Sequence, residues 1–494
     1  MAYKTVKDNA RPAIVRMTGT VRTQMESLLF SRYPTKEWAT FIVFGVHESA
    51  QECVITIADV LAPRPGDLNP DIPIVEFHEQ YRVRAAMFLR TSDIFIGVIH
   101  SHPQGVPVLP SSLDDDMDDY YRDYFSGFSK ARIYFSLIVS MDRNGNFSLS
   151  GRGWIEGRIY AVQELITVSP SQIKRDSKVP KRINDPEYRE RLRRLYGEPA
   201  ATRLLNSTVV IAGCSGTGAP AANVLARAGV GRFILVDPER LEKSNLERVH
   251  GSYAKHFVEE PYPFKVETLR ELILRINPAA EVIAIVGNIV QPLVRDHIVT
   301  ADLLLCCTDT NYSRVAAAEL AFRYLVPSLD VGVLLEGQEG AVNHEVGQIT
   351  VYAPGLPCAY CLDLVDPWAA AVELMPEEEK KRRREEAWAA VERGEVAAPY
   401  WRDVPGLPTV GHFTSLAGAM VASYGIGWLT GTFSPPRNFI QFDILSQNFG
   451  FVGFDARSKP GCYCETLIGH SAQAAAYTLV AAPEHWPEPR ILNF

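Results

Sequence analysis

His100 and His102 stand one residue apart at the end of an apolar run, in IFIGVIHSHPQGVPVLPSSLDDD. In an extended segment, side chains two apart point the same way, so both imidazoles can reach one metal ion. Asp114 follows where a helix is expected to begin, just after Pro110-Ser111-Ser112. Two histidines and a carboxylate occupy three zinc positions and leave the fourth for water, the arrangement of a catalytic rather than a structural ion. Zinc lowers the pKa of such a water toward neutrality and makes hydroxide available.

A second constellation lies in TVVIAGCSGTGAPAANVLARAGVGRFILVDPERLEKSNLERV. An apolar run, Thr208–Ala212, meets a turn carrying Gly213, Gly216 and Gly218, then a helix-favouring stretch, a second apolar run and Asp237. This is the layout of a mononucleotide-binding βαβ unit. The glycines let the backbone approach phosphate, and the helix amino end favours its charge. Asp237, ending the second strand, can accept from ribose hydroxyls. A glycine-rich loop alone would equally suit a dehydrogenase.

A third group is made of cysteines: Cys358 and Cys361 in PGLPCAYCL, Cys462 and Cys464 in PGCYCET. In a long chain without a secretory signal, close cysteines read as metal ligands before disulfides. The rival reading makes one of them a thioester nucleophile. Cys53, Cys306 and Cys307 lie in apolar runs and read as core, whereas Cys214, inside the glycine loop, could be either.

The first constellation resembles the JAMM (MPN-plus, JAB) metallopeptidases, whose motif His-x-His-Pro, seven residues, Ser, two residues, Asp is met by His100, His102, Pro103, Ser111 and Asp114. The resemblance implies that His100, His102 and Asp114 hold a catalytic Zn²⁺ and that Ser111 helps stabilise the oxyanion, a contribution often worth ~3 kcal/mol. It also implies an upstream glutamate as general base, which Glu37 in TKEWATFIVFG fits, with Glu48 as the alternative. The bland reading is a metal-free scaffold of the same fold.

The second constellation resembles the ThiF and ubiquitin-activating superfamily, because Ser244-Asn245-Leu246-x-Arg248 follows Asp237. Carried over residue by residue, Asp237 holds ribose, Asn245 and Arg248 contact phosphates, Lys265 opens the next helix beside them, and Asp309 in CCTDTNYSR positions Mg²⁺ and the reacting phosphate, with Arg314 behind it. ATP and Mg²⁺ are the implied cofactors. An arginine finger is sought in RERLRRL, at Arg191 or Arg194, and can act across a dimer. Ser215 stands where the family's loop has its second glycine. In ThiF-like proteins two Cys-x-x-Cys pairs commonly hold a structural zinc, a role that falls here to Cys358, Cys361, Cys462 and Cys464. No cysteine lies between Cys361 and Cys462, the crossover region where self-thioesterifying relatives carry their nucleophile. The chain is therefore expected to stop at the adenylate or pass the acyl group to a cysteine elsewhere.

The elements that must position these residues are α/β throughout. Residues 1–168 alternate short apolar runs (41–45, 53–60, 94–99, 133–139) with polar turns and two helical stretches, near 17–32 and 114–130. They are expected to form a JAMM-type α-β domain around a central sheet. A charged, proline-containing stretch at 169–190 reads as a linker. Residues 191–494 alternate strands and helices, which argues a Rossmann-like, doubly wound parallel sheet. A helix is expected over 265–276 and another over 408–431. A charged insertion falls near 366–407, its helix-favouring part (376–393) reading as a solvated surface helix.

With 494 residues the chain is too long for one ordinary core, which supports the division. A net charge of −8 argues against a nucleic-acid partner. No apolar run is long enough to span a bilayer and the start has no signal-peptide pattern, so a cytoplasmic protein without membrane association is expected. Both resemblances converge on one object, the C-terminal tail of a ubiquitin-like protein ending in glycine. The peptidase would trim or deconjugate it and the second domain would adenylate it. A conjugating enzyme would then be the partner in a conjugation system, as in a defence pathway. A sulfurtransferase would be the partner if the adenylate becomes a thiocarboxylate. A scaffold that binds without turnover is the non-enzymatic alternative, and a homodimer through the second domain is the implied assembly.

Overall fold

The computed structural model describes residues 10–31, 35–49, 52–69, 75–91, 93–129, 131–142, 144, 147–177, 187–338, 340–394, 409–445, 451–473 and 479–494. The N-terminal unit is built on β1 (Arg11–Thr18), β2 (Ala39–Glu48), β3 (Cys53–Leu61), β4 (Phe95–Ser101), β5 (Ile133–Met141), β6 (Phe147–Ile155) and β7 (Arg158–Val168), with helices α1 (Gly19–Phe30), α2 (Glu79–Thr91) and α3 (Ser112–Ser126). The strand order is β1-β3-β2-β4-β5-β6-β7, and β7 pairs back onto β1. The expected central sheet is thus closed into a seven-stranded barrel, a consequence of the parallel β1–β7 ladder between residues some 150 positions apart in sequence. Closure removes the exposed strand edges on which sheets aggregate. Both faces are covered. Inside lie Val15, Met17, Ile42, Phe44, Ile55, Ile57, Phe135 and Leu137, while α2 and α3 lay Tyr81, Leu89, Tyr121 and Phe125 over Phe41, Val43 and Val98 on the other side.

The stretch read as a linker does not run free. Ile173–Ser177 forms β8, antiparallel to the end of β7. Arg175 in this strand pairs with Glu164 of β7 (2.7 Å) and donates to Asp302 (2.9 Å) in the second unit. Residues 178–186 lie outside the described part.

The C-terminal unit contains helix α4 (Glu190–Tyr196), then β9 (Thr208–Ala212), α5 (Gly218–Ala228), β10 (Arg232–Val236), α6 (Lys265–Ile276), β11 (Glu281–Val286), β12 (Leu303–Cys306), α7 (Asn311–Arg323), β13 (Ser328–Gln338), β14 (Ala341–Tyr352), α8 (Glu377–Glu392), α9 (Gly411–Thr430), β15 (Phe439–Asp443), β16 (Phe451–Phe454) and β17 (Arg490–Ile491). The sheet order is β16-β15-β14-β13-β12-β9-β10-β11-β17. Strands β13, β12, β9, β10 and β11 are parallel, and antiparallel strands extend both edges. The chain leaves β9 toward β10 and β11, then returns to β12 on the other side. A crevice therefore opens beyond the carboxyl ends of β9 and β12, the topological switch point of a doubly wound sheet. β9 is wholly buried, as a strand covered on both faces must be, and reads accordingly as an unbroken apolar run. In the expected insertion, α8 matches the solvated helix, while residues 395–408 lie outside the described part.

The barrel docks at the amino ends of these parallel strands. Arg16 of β1 donates to the backbone carbonyls of Leu325 and Ala301, Thr56 Oγ1 donates to Gly469 O at 2.5 Å, and Trp428 Nε1 donates to Ser169 O at 3.2 Å. Ile14, Val54, Ile166 and Val168 of the barrel join the core of the second unit. Among the described residues no helix is long and apolar enough to cross a membrane.

Candidate functional sites

The barrel brings His100, His102 and Asp114 together. β4 lies between β2 and β5, and His102 N continues the pairing past the strand end by donating to Val139 O at 2.8 Å. Both imidazoles are held at the same barrel end, 3% and 5% exposed. Asp114 sits in the first turn of α3, where Ser111 is the N-cap in a reciprocal capping box. Ser111 N and Oγ both donate to Asp114 Oδ2, at 2.6 and 2.7 Å. One turn on, Asp118 accepts from Arg152 Nε of β6 at 2.6 Å and from Tyr134 OH of β5 at 3.2 Å, which fixes the helix to the barrel.

The three side chains offer ligand atoms all within 4.8 Å of one another, with His100 Nε2 3.1 Å from Asp114 Oδ1. His102 Nδ1 donates to Pro107 O at 2.7 Å, which leaves Nε2 as the free lone pair; such an outer partner is what fixes a ligating histidine's tautomer. Among the described residues, Nδ1 of His100 is buried without a hydrogen-bond partner, and its Nε2 faces only the Asp114 carboxylate. Burial opposes ionisation of Asp114. The bond and charge of His100 and the Ser111 donors outweigh it and hold the carboxyl well below its usual range. An orphaned buried imidazole beside an ionised carboxylate and a second oriented imidazole is a donor set that fits a divalent cation.

Glu37 precedes Trp38, whose N–H donates to Ser101 Oγ (3.1 Å) and whose carbonyl accepts from Ser101 N (2.8 Å). Continuing that register sets Glu37 across from His102. Glu48 lies at the far end of β2, where it accepts from Arg158 (2.7 Å) and Tyr160. It is therefore remote from the three ligands.

The second site is a cavity of about 480 Å³ at the switch point. Gly213 (φ +89°) begins the loop, and a Cβ there would meet Cys307 O at 2.6 Å. Gly218 opens α5 so close to Gly213 O that a Cβ would stand at 1.9 Å. Only glycine fits either position. Gly216 and Ser215 line the cavity between them. Across the loop, Asp237 accepts from Cys214 N (2.8 Å) and Glu239 N (2.9 Å). Burial pushes its carboxyl up to about 6 despite the charge of Lys265. Asn245 is buried, its Oδ1 accepting from Glu242 N at 3.0 Å; Arg248 bonds Thr409, and Lys265 pairs with Glu239. Asp309 and Arg314 enter from beyond β12. Eight of the nine nucleotide-contact residues selected from the sequence, Gly213, Gly216, Asp237, Asn245, Arg248, Lys265, Asp309 and Arg314, line this one cavity, while Gly218 shapes it from behind. Arg194 is not among the lining residues. It is exposed on α4 and pairs with Glu190 at 2.9 Å.

Sequence reasoning missed Glu242, Asn288, Gly332, Thr409 and Thr414, which also line the cavity. Asn288 follows the end of β11, a position that the carboxyl-end rule for parallel strands could have flagged.

Cys358, Cys361, Cys462 and Cys464 form a third cluster, their sulfurs all within 4.8 Å. Cys358 Sγ is 3.6 Å from Cys462 Sγ, and Cys361 Sγ is 3.7 Å from Cys464 Sγ. Four thiolates ~2.3 Å from a tetrahedral zinc would stand about 3.8 Å apart, so the spacing fits one ion.

The sheet and its glycine loop define a Rossmann-type nucleotide-binding domain. The chain belongs to the ThiF family, whose family model matches residues 188–464. It is 28% identical over 166 residues to the SAMP-activating enzyme E1 of Haloferax volcanii (34% of this chain, 57% of that one). It is 32% identical over 180 residues to the adenylyltransferase and sulfurtransferase MOCS3 of Drosophila virilis (36% and 37%). It is 34% identical over 161 residues to the molybdopterin-synthase adenylyltransferase of Escherichia coli (32% and 59%). The chain thus spans between about a third and three fifths of these relatives' lengths.

Proposed function

We propose that this chain is a two-part enzyme acting on the tail of a ubiquitin-like protein: a zinc-dependent peptidase of the JAMM type, residues 1–168, and an ATP-dependent adenylating domain, residues 191–494. The observation that carries the reading is the convergence of the glycine loop, Asp237, Asn245, Arg248, Lys265 and Asp309 on one cavity in a ThiF-family domain. Relatives named for SAMP activation and for molybdopterin synthase support a carrier protein as the acyl substrate.

In the second site an oxygen of the tail's terminal carboxylate attacks the α-phosphorus of ATP. The bond from that phosphorus to the bridging oxygen breaks, giving an acyl-adenylate and pyrophosphate. The step needs positioning and charge neutralisation more than covalent help. Asp237 holds the ribose, the loop N–H groups and Arg248 the phosphates, and Asp309 the Mg²⁺, which supplies charge neutralisation at the transferring group.

In the first site His100, His102 and Asp114 would hold Zn²⁺, which supplies Lewis acidity toward a peptide carbonyl and toward water. Glu37 takes a proton from the attacking water and returns it to the leaving amine as the carbon–nitrogen bond breaks. Ser111 orients Asp114 through its two bonds, beside any role toward the oxyanion. The four cysteines suit a structural zinc.

A second reading has the adenylate converted to a thiocarboxylate, and the Drosophila virilis relative, an adenylyltransferase and sulfurtransferase, favours it. Intact-mass analysis tests the reading. A ubiquitin-like protein with a short extension after its terminal glycine is incubated with the enzyme, with and without MgATP. Loss of the extension that needs Glu37, then gain of AMP that needs Asp309, is expected. No mass change with zinc bound and a verified partner would overturn it.

A further inference from the structure

Asp330, near the start of β13, is fully buried. Apart from the neighbouring Cys306 thiol, a weak donor, neither of its carboxylate oxygens meets a hydrogen-bond donor among the described residues. A buried carboxylate without good partners is costly, and such groups persist where their charge does something. The cation facing it is Arg314 of α7, whose Nε lies 3.7 Å from Asp330 Oδ2. Gly332 lies on the same face of β13, two residues on. A Cβ there would meet Arg314 Nη2 at 2.6 Å. The guanidinium is thus seated across the strand, between a charge at one end and a missing side chain at the other. It also lines the cavity, with the side chain 20% exposed.

The sheet order fixes which end of the cavity this is. Asp237 ends β10 on one side of β9, and Arg314 comes over β12 and β13 on the other. A ribose at Asp237 directs the phosphates across the glycine loop toward Arg314. A guanidinium's planar fork suits phosphate oxygens, but a free arginine has many rotamers, and ordering it at binding costs affinity.

We propose that Asp330 is a positioning residue, which with Gly332 holds the Arg314 guanidinium ready for the phosphate end of the nucleotide. The proposal rests on the nucleotide-binding half of the function proposed above. Arg314 is held protonated above its usual range chiefly by the charge of Asp330, so the pair keeps its cation.

The test is calorimetric titration of the full chain with MgATP and, separately, with adenosine, for the wild type, Asp330→Asn, Arg314→Ala and the double variant. Asp330→Asn is expected to weaken MgATP about tenfold, the scale of one charge-assisted phosphate contact, and to leave adenosine unchanged. The double variant is expected to bind MgATP no more weakly than Arg314→Ala alone, since one residue acts through the other. Gly332→Ala, which crowds the seat from its other wall, should reproduce the MgATP-selective loss should Asp330→Asn not fold. Additive losses, equal losses for adenosine and MgATP, or an unchanged MgATP affinity would overturn the proposal while leaving the nucleotide reading intact. A wild-type chain that binds no MgATP would overturn that reading and this one with it.

Discussion

Arg16, on the first strand of the barrel, donates through Nη1 to the backbone carbonyl of Leu325 in the ThiF unit at 2.8 Å, more than three hundred residues along the chain. Its second nitrogen serves Ala301 O, and the side chain is fully buried. Burial pulls the guanidinium down to about 10, the charge of Asp302 opposing. Arg16→Met would leave two buried carbonyls unpaired at the seam, a loss on the order of 3 kcal/mol. Scanning calorimetry is expected to show a lower and divided unfolding transition. An unchanged melt would mean that the seam is held elsewhere.

Asp237 gives a pH dependence with two opposite signs. Its folded-state pKa is raised to about 6 by burial, with Lys265 and the Glu239 and Cys214 N–H groups working against that rise. Between the ordinary carboxylate range and pH 6 the folded chain keeps a proton that the unfolded chain has released. The residue's contribution to stability therefore falls as pH rises through that window. Ribose binding runs the other way, because the hydroxyls donate to the ionised form. Adenosine, which has no phosphate to titrate, should bind more weakly by up to about tenfold for each unit below pH 6. Asp237→Asn should flatten the profile, and a flat wild-type profile would remove Asp237 from ribose binding.

Much of both sites was legible because their residues cluster in short sequence windows set by local geometry. A strand, a tight glycine turn and a helix must follow one another within a few residues, and β9, α5 and β10 do. The capping box at Ser111 is equally local. What was not legible depends on pairing across long separations. Nothing in RPAIVRMT says that it closes a barrel against residues 160–168, or that Ile173–Ser177 adds a strand where charge and proline suggest a linker. Glu37 and Glu48 look alike as candidate bases until β2 is seen to carry Glu48 at its far end, while Glu37 precedes the strand at the end that pairs with His100. Asp330 reads as one more polar residue in an apolar run, and only its buried position opposite Arg314 distinguishes it.

The two candidate metal sites predict a stoichiometry. Metal analysis of the full chain should find two zinc ions. Cys361→Ser should remove one and lower the melting temperature, because a structural ion's binding energy is folding energy. The segment after Cys464 carries Gly469, whose carbonyl accepts from Thr56 of β3, so the loss should also loosen the seam. Asp114→Ala should remove the other ion with little effect on the melt. One ion per chain, lost only with the cysteine variant, would leave the barrel as a scaffold.

Glu37 separates metal binding from catalysis. Glu37→Gln keeps the shape and removes the base, so both zinc ions should stay while cleavage of a tail extension falls by 10²-fold or more, the contribution typical of a positioned general base. Cleavage that survives in Glu37→Gln would return the search to other carboxylates near His102.

The last prediction concerns transfer between the sites. In α9, Thr414 lines the nucleotide cavity, while Trp428 donates to Ser169 at the seam. The helix between them measures about 21 Å at ~1.5 Å per residue. On β2, Val46 N donates to Gln473 Oε1 across the same seam at 2.6 Å, while Ala39 pairs opposite His100. That strand segment measures about 23 Å at ~3.3 Å per residue. Each site therefore faces away from the seam, at the far end of its own unit. An extended tail covers at most ~3.6 Å per residue, so about twelve or more residues would be needed to bridge even the summed lengths. A trimmed tail should leave the first site and bind the second in a separate encounter. A mixture of Glu37→Gln and Asp309→Ala chains should then activate an extended substrate, with the same lag as wild type at equal concentrations of each intact site. A mixture that trims at the normal rate but yields no adenylate would mean that the tail passes between sites within one molecule.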